Sequence, residues 1–451
     1  MKLVYNINDK PKMPQLIVFA IQQLLAIMAA TLVVPVIVGN GMSPAAALVG
    51  AGAGTIVYQL FTKFRSPVFL GSSFAFLGSM AASFAGASTV ALGYLGLILG
   101  AIFAGLVYVI IAIVVKFVGV AWINKLMPAV VIGPTVAIIG LSLAGNAVGD
   151  LGTAPAGGHP LIAILCGLVT LATVIFCSVF GKKMMKLIPF ILGILAGYIV
   201  ALIFTVIGML AGVDALKVIS FDAFKALVAD GVKITTFLDI PDFTFVTAFG
   251  AFKDFSFSYL LTVIVAYVPV AMVVFAEHIA DHKNLSSIIE KDLLEDPGLD
   301  KTLLGDGVGS MAGAFFGGCP NTTYGESVGC VAITGNASVI TILAAAIGAI
   351  LIAFISPFVA FVNSIPSCVM GGVCMALYGF IAVSGLKMIQ KVDLENSKNL
   401  FVVSVILISG IGGLTLTFGK VTITSIACAL VLGILTNTLV TKVKLKSDDE
   451  E

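Results

Sequence analysis

Two glutamates, Glu277 and Glu326, lie beside otherwise apolar stretches of this 451-residue chain. A carboxylate is costly inside a membrane and is mostly found there where a solute or a proton is bound. Burial favours the neutral form of a carboxyl, so such a group can load and release a proton near neutral pH. The two residues therefore predict a binding site with a role in proton transfer. The alternative is a structural role, in which each Glu pairs with a neighbour and locks two helices together.

The composition is that of a polytopic membrane protein. Hydrophobic residues make up 59% of the chain and charged residues 10%, with a mean hydropathy of +1.15. Apolar segments long enough to span a bilayer number about 12, and two shorter interrupted ones bring the predicted total to about 14. With the N-terminus in the cytoplasm, most of the 24 Lys and Arg lie inside. The exceptions are Lys217, Lys225, Lys233, Lys253 and Lys420. This bias predicts that both termini are cytoplasmic.

An internal repeat organises the chain. The glycine-rich pattern of residues 50–61 recurs at 305–316, and that of residues 128–133 recurs at 366–371. A repeat of about seven spans has an odd number of crossings, so the two halves must be inverted with respect to the membrane. The alternative is a chance recurrence of helix-packing glycines in a chain with 48 Gly.

The third predicted span of each half is interrupted by Pro and Gly. These segments cover residues 65–76 and 319–332, and neither forms an uninterrupted 20-residue helix. Irregular backbone at membrane depth is tolerated only where it is buried in protein or lines a cavity. We therefore expect two short extended stretches, each followed by a half-helix whose N-terminus, near Ser73 or Glu326, is directed at a site in the bilayer midplane.

Two charged segments are predicted to be solvated connections. Residues 213–257 carry Asp and Lys in similar numbers and are expected to form an external loop that joins the halves. Residues 283–301 are expected to form a cytoplasmic connection with a short amphipathic helix before Pro297. Neither segment is a candidate binding site.

The polar residues suit a neutral, planar solute with amide-like groups. Glu277 and Glu326 would accept hydrogen bonds from ring N–H groups, and the backbone amides around Phe74 and Gly325 would donate to carbonyl oxygens. An unpaired buried polar group costs on the order of 1–3 kcal/mol, so such matching sets specificity. Gln23 in the first span is polar enough to reach the site, although hydrogen bonding between helices is the alternative.

The residues that follow Glu277 allow several interpretations. His278 and His282 share a helical face, but their order differs from that of zinc proteases, so no metal site is predicted. His282 is expected near the cytoplasmic interface because Lys283 follows it. Asp281 lies one turn after Glu277 and is expected to orient it or exchange a proton with it, or else to cap the end of the helix.

Three strings carry a resemblance to a known family. They are Phe275-Ala276-Glu277-His278-Ile279, Pro320-Asn321-Thr322-Thr323-Tyr324-Gly325-Glu326 and Gly71-Ser72-Ser73-Phe74-Ala75-Phe76. They resemble the signatures of the nucleobase-ascorbate transporter family, most closely those of its bacterial uracil permease branch. The similarity runs from about Pro14 to the last span, and the Tyr-Gly-Glu string is typical of the uracil branch.

The resemblance implies an all-α fold of 14 spans in two inverted seven-span repeats, in which spans 3 and 10 are broken. A core domain would comprise residues 1–118 and 258–362, and a gate domain residues 119–212 and 363–451, with 213–257 as the external linker. It also implies a uracil:proton symporter of the inner or plasma membrane, often a homodimer, in which the gate and core domains move by alternating access.

By resemblance, Glu277 and Glu326 bind the base through side chains, and Phe74 and Gly325 through backbone amides. The full predicted substrate site is Glu277, Glu326, Phe74, Gly325, Ser73, Tyr324 and Gln23. The predicted proton-coupling residues are Glu277, Asp281 and Glu326. The proton is the coupling ion, and neither a cofactor nor a nucleic acid partner is expected.

The chain departs from its relatives at three positions. Many members have Gln-His where Gln22-Gln23 stands, His at Asp281 and Asn at Ser327. A relay of protons through histidine therefore cannot be carried over, and coupling is predicted to depend on carboxyls alone.

Three rival functions remain open at this point. A xanthine or urate carrier of the same family differs only in its base. An intramembrane enzyme would use the cluster from Glu277 to His282. A passive channel fits less well, because two half-helices and a pair of acids suit a binding site better than a pore.

Overall fold

The computed structural model describes residues 3–119, 122, 128–155, 157–229, 231–418 and 421–442, and most of them are helical. The predicted cytoplasmic tail, from residue 443 onward, and Lys420 lie outside the described residues.

The chain up to residue 211 forms nine α-helices. They are α1 (Met13–Val38), α2 (Pro44–Phe61), α3 (Leu77–Ala85), α4 (Val90–Val118), α5 (Ala129–Ser142), α6 (Ala144–Leu151), α7 (Pro160–Phe180), α8 (Lys183–Leu187) and α9 (Pro189–Ala211) among the described residues.

The rest of the described chain forms ten more. They are α10 (Asp222–Val228), α11 (Thr244–Phe249), α12 (Phe257–Ile289), α13 (Leu299–Gly317), α14 (Gly325–Thr334), α15 (Val339–Ala353), α16 (Ser356–Ser364), α17 (Ser367–Ile389), α18 (Ser397–Ile411) and α19 (Ser425–Lys442).

Eight helical stretches among the described residues are long and apolar enough to cross a membrane, which makes the chain a multi-pass membrane protein. They are α1, α2, α4, the continuous stretch Ala129–Leu151, α7, α9, α12 and α17.

The described residues also form four short strands. They are β1 (Leu70–Ser72), β2 (Asn321–Thr323), β3 (Leu416–Phe418) and β4 (Val421–Ile423). β1 pairs antiparallel with β2, so that Leu70 lies opposite Thr323, and β3 pairs antiparallel with β4. The first pair joins segments about 250 residues apart, and it satisfies backbone groups that lipid cannot.

The repeated glycine stretches pack against each other, α2 on α13. A Cβ built on Gly309 would lie 2.7 Å from the carbonyl oxygen of Gly54, and one built on Gly50 would meet the backbone of Gly313. Small residues let helix backbones approach this closely inside a membrane, where packing and hydrogen bonds hold helices together.

The helices pack in two groups. In one group α13 packs on α2 and α4, α15 on α1 and α2, and α12 on α4. In the other group α17 packs on α5 and α7, α9 on α7, and α18 on α5 and α19. The groups contact each other mainly along α12, which packs on β4, α19 and α5, and along α1, which packs on α9.

The interpretation of residues 213–257 as a solvated loop is wrong in part. The segment contains α10, α11 and three short 3-10 helices, and α11 packs on α4 and α13. Its phenylalanines explain this packing, because the ring of Phe245 stacks on that of Phe315 with centroids 4.7 Å apart. Aromatic side chains of this size gain more from burial than from exposure.

The short amphipathic helix expected within residues 283–301 is also absent from this described segment. α12 continues without a break to Ile289 and ends at Glu290, which takes a left-handed conformation with φ of 54°. A π-helical turn, Leu294–Gly298, then leads into α13. A helix of 33 residues is about 50 Å long, so the last turns of α12 extend beyond a hydrocarbon core of about 30 Å.

Candidate functional site

The β1–β2 pair brings two helix N-termini into the interior of the protein. The Ser73 amide donates to the carbonyl of Pro320 at 2.9 Å, and a 3-10 turn that leads into α3 then begins at Phe74. After β2, Tyr324 precedes α14, which begins at Gly325. Both starts lie one residue from the positions expected from the sequence. The first N–H groups of a helix have no intrahelical acceptor, so this geometry offers amide donors to a ligand.

Two carboxyls project from one face of α12. Glu277 and Asp281 are one helical turn apart, and the side-chain hydroxyl of Thr323 in β2 donates to Oδ2 of Asp281 at 2.9 Å. Because α12 continues for eight residues past Asp281, the alternative in which Asp281 caps the helix is wrong.

A cavity of about 470 Å³ separates these elements from the second helix group. Its polar lining includes three carboxyls, those of Glu277, Asp281 and Glu326, together with Gly325. Lys186 of α8 lines it as well. The remaining lining is mostly apolar and comes mainly from α9, α12, α14 and α17, with single residues of α1, α5, α7 and α8. The volume and the few convergent polar groups fit a site for a small molecule.

Gly325 leaves an opening at the start of α14. A Cβ built there would meet only Oδ1 of Asp281, at 3.9 Å, and Gly325 is exposed to the cavity. Gly325, whose amide is one of the first N–H groups of α14, and Glu326 therefore line the same space as the two acids of α12. An arrangement of this kind accepts hydrogen bonds through its carboxyls and donates one through its backbone.

Four of the predicted site residues do not line this cavity. The ring of Phe74 lies edge-on to that of Tyr378 in α17, with centroids 5.9 Å apart. Ser73 is buried at the end of the strand pair. Tyr324 donates its hydroxyl to the carbonyl of Ser72 at 2.8 Å, which joins the two broken segments. Direct contact of these residues with a solute stays a prediction.

Gln23 also lies behind the cavity rather than in it. Its side-chain amide donates to Oγ of Ser327 at 2.5 Å, and the amide of Phe69 donates to the same oxygen at 3.3 Å. This favours the alternative of hydrogen bonding between helices, because Gln23 links α1 to α14. Its role as a ligand stays a prediction.

His282 is buried inside the protein, and its expected position near the cytoplasmic interface stays a prediction. His278 and His282 are both fully buried, and their rings stack with centroids 4.0 Å apart. The cause is the continuation of α12, which carries His282 into contact with Tyr58 of α2. No group of three or more His, Cys, Asp or Glu side chains suited to a metal ion occurs among the described residues.

Two polar residues near the cavity are not among the site residues predicted from the sequence. Asp306 is fully buried in α13 and contacts His278, although an acid inside a glycine-rich apolar stretch was a signal of the same kind as Glu277. In the sequence, Lys186 indicates only the orientation of the chain in the membrane. Its position in the cavity depends on the packing of α8 and could not be read from the sequence.

The fold and the cavity define a class, a multi-pass membrane protein with a cavity lined by carboxyls between two helix groups. The profile described as "Permease family" matches residues 14–419. The chain belongs to this family, the nucleobase:cation symporter-2 family, and this membership confirms the resemblance found in the sequence. Its members are transporters, which removes the intramembrane enzyme as an alternative.

Curated relatives match over nearly the whole chain. A uracil permease of Bacillus caldolyticus is 39% identical over 97% of this chain and 94% of that protein. A uracil permease of Bacillus subtilis (strain 168) is 36% identical over 99% and 98% of the two chains. A uracil permease of Escherichia coli (strain K12) is 34% identical over 95% and 92%.

Two solved structures share the fold at low sequence identity. The transmembrane domain of a cyanobacterial bicarbonate transporter gives a TM-score of 0.59 at 15% identity, covering 96% of this chain and 100% of that one. A murine anion transporter of Solute Carrier family 26, in the inward-facing state, gives 0.63 at 10% identity, covering 96% and 69%.

Proposed function

We propose that this chain takes up uracil together with protons across the plasma membrane, by alternating access. The observation that carries the proposal is a single cavity lined by Glu277, Asp281, Glu326 and the N-terminal residue of α14. The names and coverage of the curated relatives support uracil as the substrate.

The cavity offers the groups that a pyrimidine needs. Uracil presents ring N–H donors beside carbonyl acceptors on one edge. Glu277 and Glu326 accept from the N–H groups, and the Gly325 amide donates to a carbonyl oxygen. The apolar remainder of the lining packs on the ring faces. Each unmatched polar group would cost about 1–3 kcal/mol, which discriminates against bases with a different pattern.

Coupling depends on the three carboxyls. Negative charges that share one cavity repel each other, so a proton on one of them lowers the cost of keeping the other two ionised. Glu277 is the proposed proton carrier, and Asp281 influences it from one helical turn away. The hydrogen bond from Thr323 holds Asp281 in place and makes it the less mobile of the two.

The proposed architecture has 14 spans in two inverted halves. The eight long spans are supplemented by the shorter apolar helices Phe74–Ala85, Val339–Ala353, Ser397–Ile411 and Ser425–Thr441 and by α13 and α14. The two helix groups support a core domain of residues 1–118 and 258–362 and a gate domain of 119–212 and 363–451. The segment 213–257 links the halves.

The cavity is proposed to face the cytoplasm. Its lining extends to Lys186 in α8, and α8 belongs to a Lys-rich connection that the positive-inside rule assigns to the cytoplasm. The same rule puts both termini there. A homodimer is proposed from the family resemblance alone.

The test is uptake of labelled uracil by the purified protein in liposomes. An inside-alkaline pH gradient is expected to accumulate uracil above its external concentration, and a protonophore is expected to abolish the accumulation. Excess unlabelled uracil should compete and excess xanthine should not. Equal competition by xanthine would move the assignment to the purine carriers, and uptake that ignores the gradient would contradict coupling.

A further inference from the structure

A second polar cluster lies behind the cavity, on the adjacent face of α12. It consists of His278 and His282 with their partners on α2 and α13, and both imidazoles are fully buried. The proposed transport mechanism uses neither ring. Buried polar networks are stable only when their members are hydrogen-bonded, so the positions of the hydrogens can be assigned from the partners.

His282 can be assigned first. Its Nδ1 lies 2.8 Å from the backbone carbonyl of His278, which only accepts, so Nδ1 carries a hydrogen. In the neutral ring Nε2 is then an acceptor, and the Tyr58 hydroxyl, which lies 2.7 Å from Nε2 and 2.7 Å from Oγ of Ser66, can donate to it. The ring is satisfied without a charge, and it links α12 to α2.

The contacts of His278 leave one proton to be shared between its ring and the carboxyl of Asp306. Its Nε2 lies 3.0 Å from Oγ1 of Thr302, whose own hydrogen has the carbonyl of Leu299 as an acceptor at 3.2 Å. Thr302 therefore accepts from Nε2–H. The second nitrogen, Nδ1, lies 2.6 Å from Oδ2 of Asp306. One proton occupies this contact, and the pair has no net charge whether the proton lies on the imidazole or on the carboxyl.

Loss of that proton would be costly. It would leave a fully buried carboxylate, and Oδ1 of Asp306 already has no hydrogen-bond partner among the described residues. The titratable groups on the surrounding elements are Tyr58, Tyr108 and the neighbours on α12, and no described Lys or Arg contacts the pair. An uncompensated buried charge costs several kcal/mol, so the proton is retained.

We infer that His278 and Asp306 share a single proton, stay without net charge during transport, and position Glu277 by fixing α12 against α13. Glu277 directly precedes His278, so the pair and its Thr302 contact set the rotation of α12 that directs Glu277 into the cavity. His278 and Asp306 are positioning residues, and the coupling proton is not stored on them. This inference rests on the proposed uracil:proton symport.

The test compares two replacements of similar size, Asp306→Asn and Asp306→Leu. The amide of Asn donates to Nδ1 of a neutral His278 and keeps the link to α13. Asp306→Asn is therefore expected to keep uracil affinity and gradient-driven uptake within about threefold of the wild type, with an unchanged pH profile. Asp306→Leu removes the partner of Nδ1 and is expected to weaken uracil binding by roughly tenfold or more.

Several results would overturn the inference. An Asn variant that binds uracil normally but no longer accumulates it under a pH gradient would place the coupling proton on this pair. An Asn variant that fails to fold would show that the pair needs a charge, and a Leu variant with normal affinity would remove the positioning role. Melting temperatures of both variants are measured in detergent without uracil, so they do not depend on the proposed function. The neutral pair predicts a melting temperature close to that of the wild type for Asp306→Asn and a lower one for Asp306→Leu.

Discussion

The two interrupted segments, residues 65–76 (the first segment) and 319–332 (the second segment), have similar backbones but differ in the side chains that they expose to the cavity. Each has a three-residue strand followed by a helix N-terminus, and the strands pair with each other. The second segment supplies Gly325 and Glu326 to the cavity, whereas none of the described residues 70–85 lines it. Glu326 is the second residue of its helix, whereas the second residue of the 3-10 turn in the first segment is Ala75.

The side chains of the first segment explain this difference. Phe76, Leu77 and Met80 are buried in the apolar core, and the Phe74 ring packs on Tyr378 of the other helix group. The first segment is packed into the core beside the strand pair, and the second supplies the polar groups of Gly325 and Glu326 to the cavity. Two segments with similar backbones can therefore contribute differently to the cavity, and variants compared between the two segments test this directly.

The largest effect is expected at Glu277, which faces the second segment across the cavity. Glu277→Gln resembles a permanently protonated side chain, so the response of uptake to a pH gradient should be lost while binding or exchange of uracil is retained in part. Uptake with and without a gradient, measured beside uracil counterflow, checks this. If the variant still accumulates uracil under the gradient while Asp281→Asn does not, the proton site belongs to Asp281.

The second-largest effect is expected at Glu326, and it tests whether only the second segment binds uracil. Glu326→Gln replaces an acceptor by a group that also donates, and uracil affinity should fall by roughly tenfold or more, about 1.4 kcal/mol. Ser72→Ala is the control in the first segment, where Ser72 ends β1 and does not line the cavity, and it should leave affinity close to that of the wild type. Equilibrium binding of labelled uracil to the purified variants measures both. Equal losses would mean that both segments bind the base.

Two glycines, Gly71 in β1 and Gly325 at the start of α14, should respond differently to replacement by alanine. A Cβ at Gly325 extends into open cavity, so Gly325→Ala should keep its melting temperature and weaken uracil binding by about 1 kcal/mol, roughly fivefold. A Cβ at Gly71 would collide with the ring of Tyr324, so Gly71→Ala should lower stability by about 1–3 kcal/mol. Thermal denaturation and uracil binding of both variants provide the check. A stable Gly71→Ala would weaken the view that the first segment is tightly packed.

The smallest effect is expected at Asp281. Asp281→Asn keeps an oxygen for the Thr323 hydroxyl and removes only a charge near Glu277, so the pH profile of uptake should shift with a change in rate of roughly two- to threefold. Thr323→Val is the paired variant that removes the hydrogen bond and keeps the charge. A pH series of uptake rates for the two variants distinguishes the contributions, and complete uncoupling by Asp281→Asn would contradict its secondary role.

Much of the site could be predicted from the sequence, because buried charge and broken helices are local signals. Glu277, Glu326 and the extended stretches stand out against an apolar background, and the structure brings Glu277, Asp281 and Glu326 to one cavity. The length of α12 could not be predicted, because the charged residues after Asp281 suggested an end to the helix that no breaking residue enforces. The contacts of His282 and Lys186 depend on that length and on tertiary packing.

The pattern of spans gave the class of fold, whereas the short helices inside residues 213–257 were missed. The charged residues of this segment indicate a solvated loop, but the phenylalanines between them pack against α13. Asp306 does not stand out in the sequence, because the glycines around it indicate helix packing. Its partner, His278, lies 28 residues away on another helix.

A structure of the protein with uracil bound, determined by cryo-electron microscopy in lipid, tests the asymmetric site most directly. The account predicts density for the pyrimidine in the cavity, within hydrogen-bonding distance of the Glu277 and Glu326 carboxyls and the Gly325 amide. Density that contacts residues 70–85 and none of those three groups would contradict it.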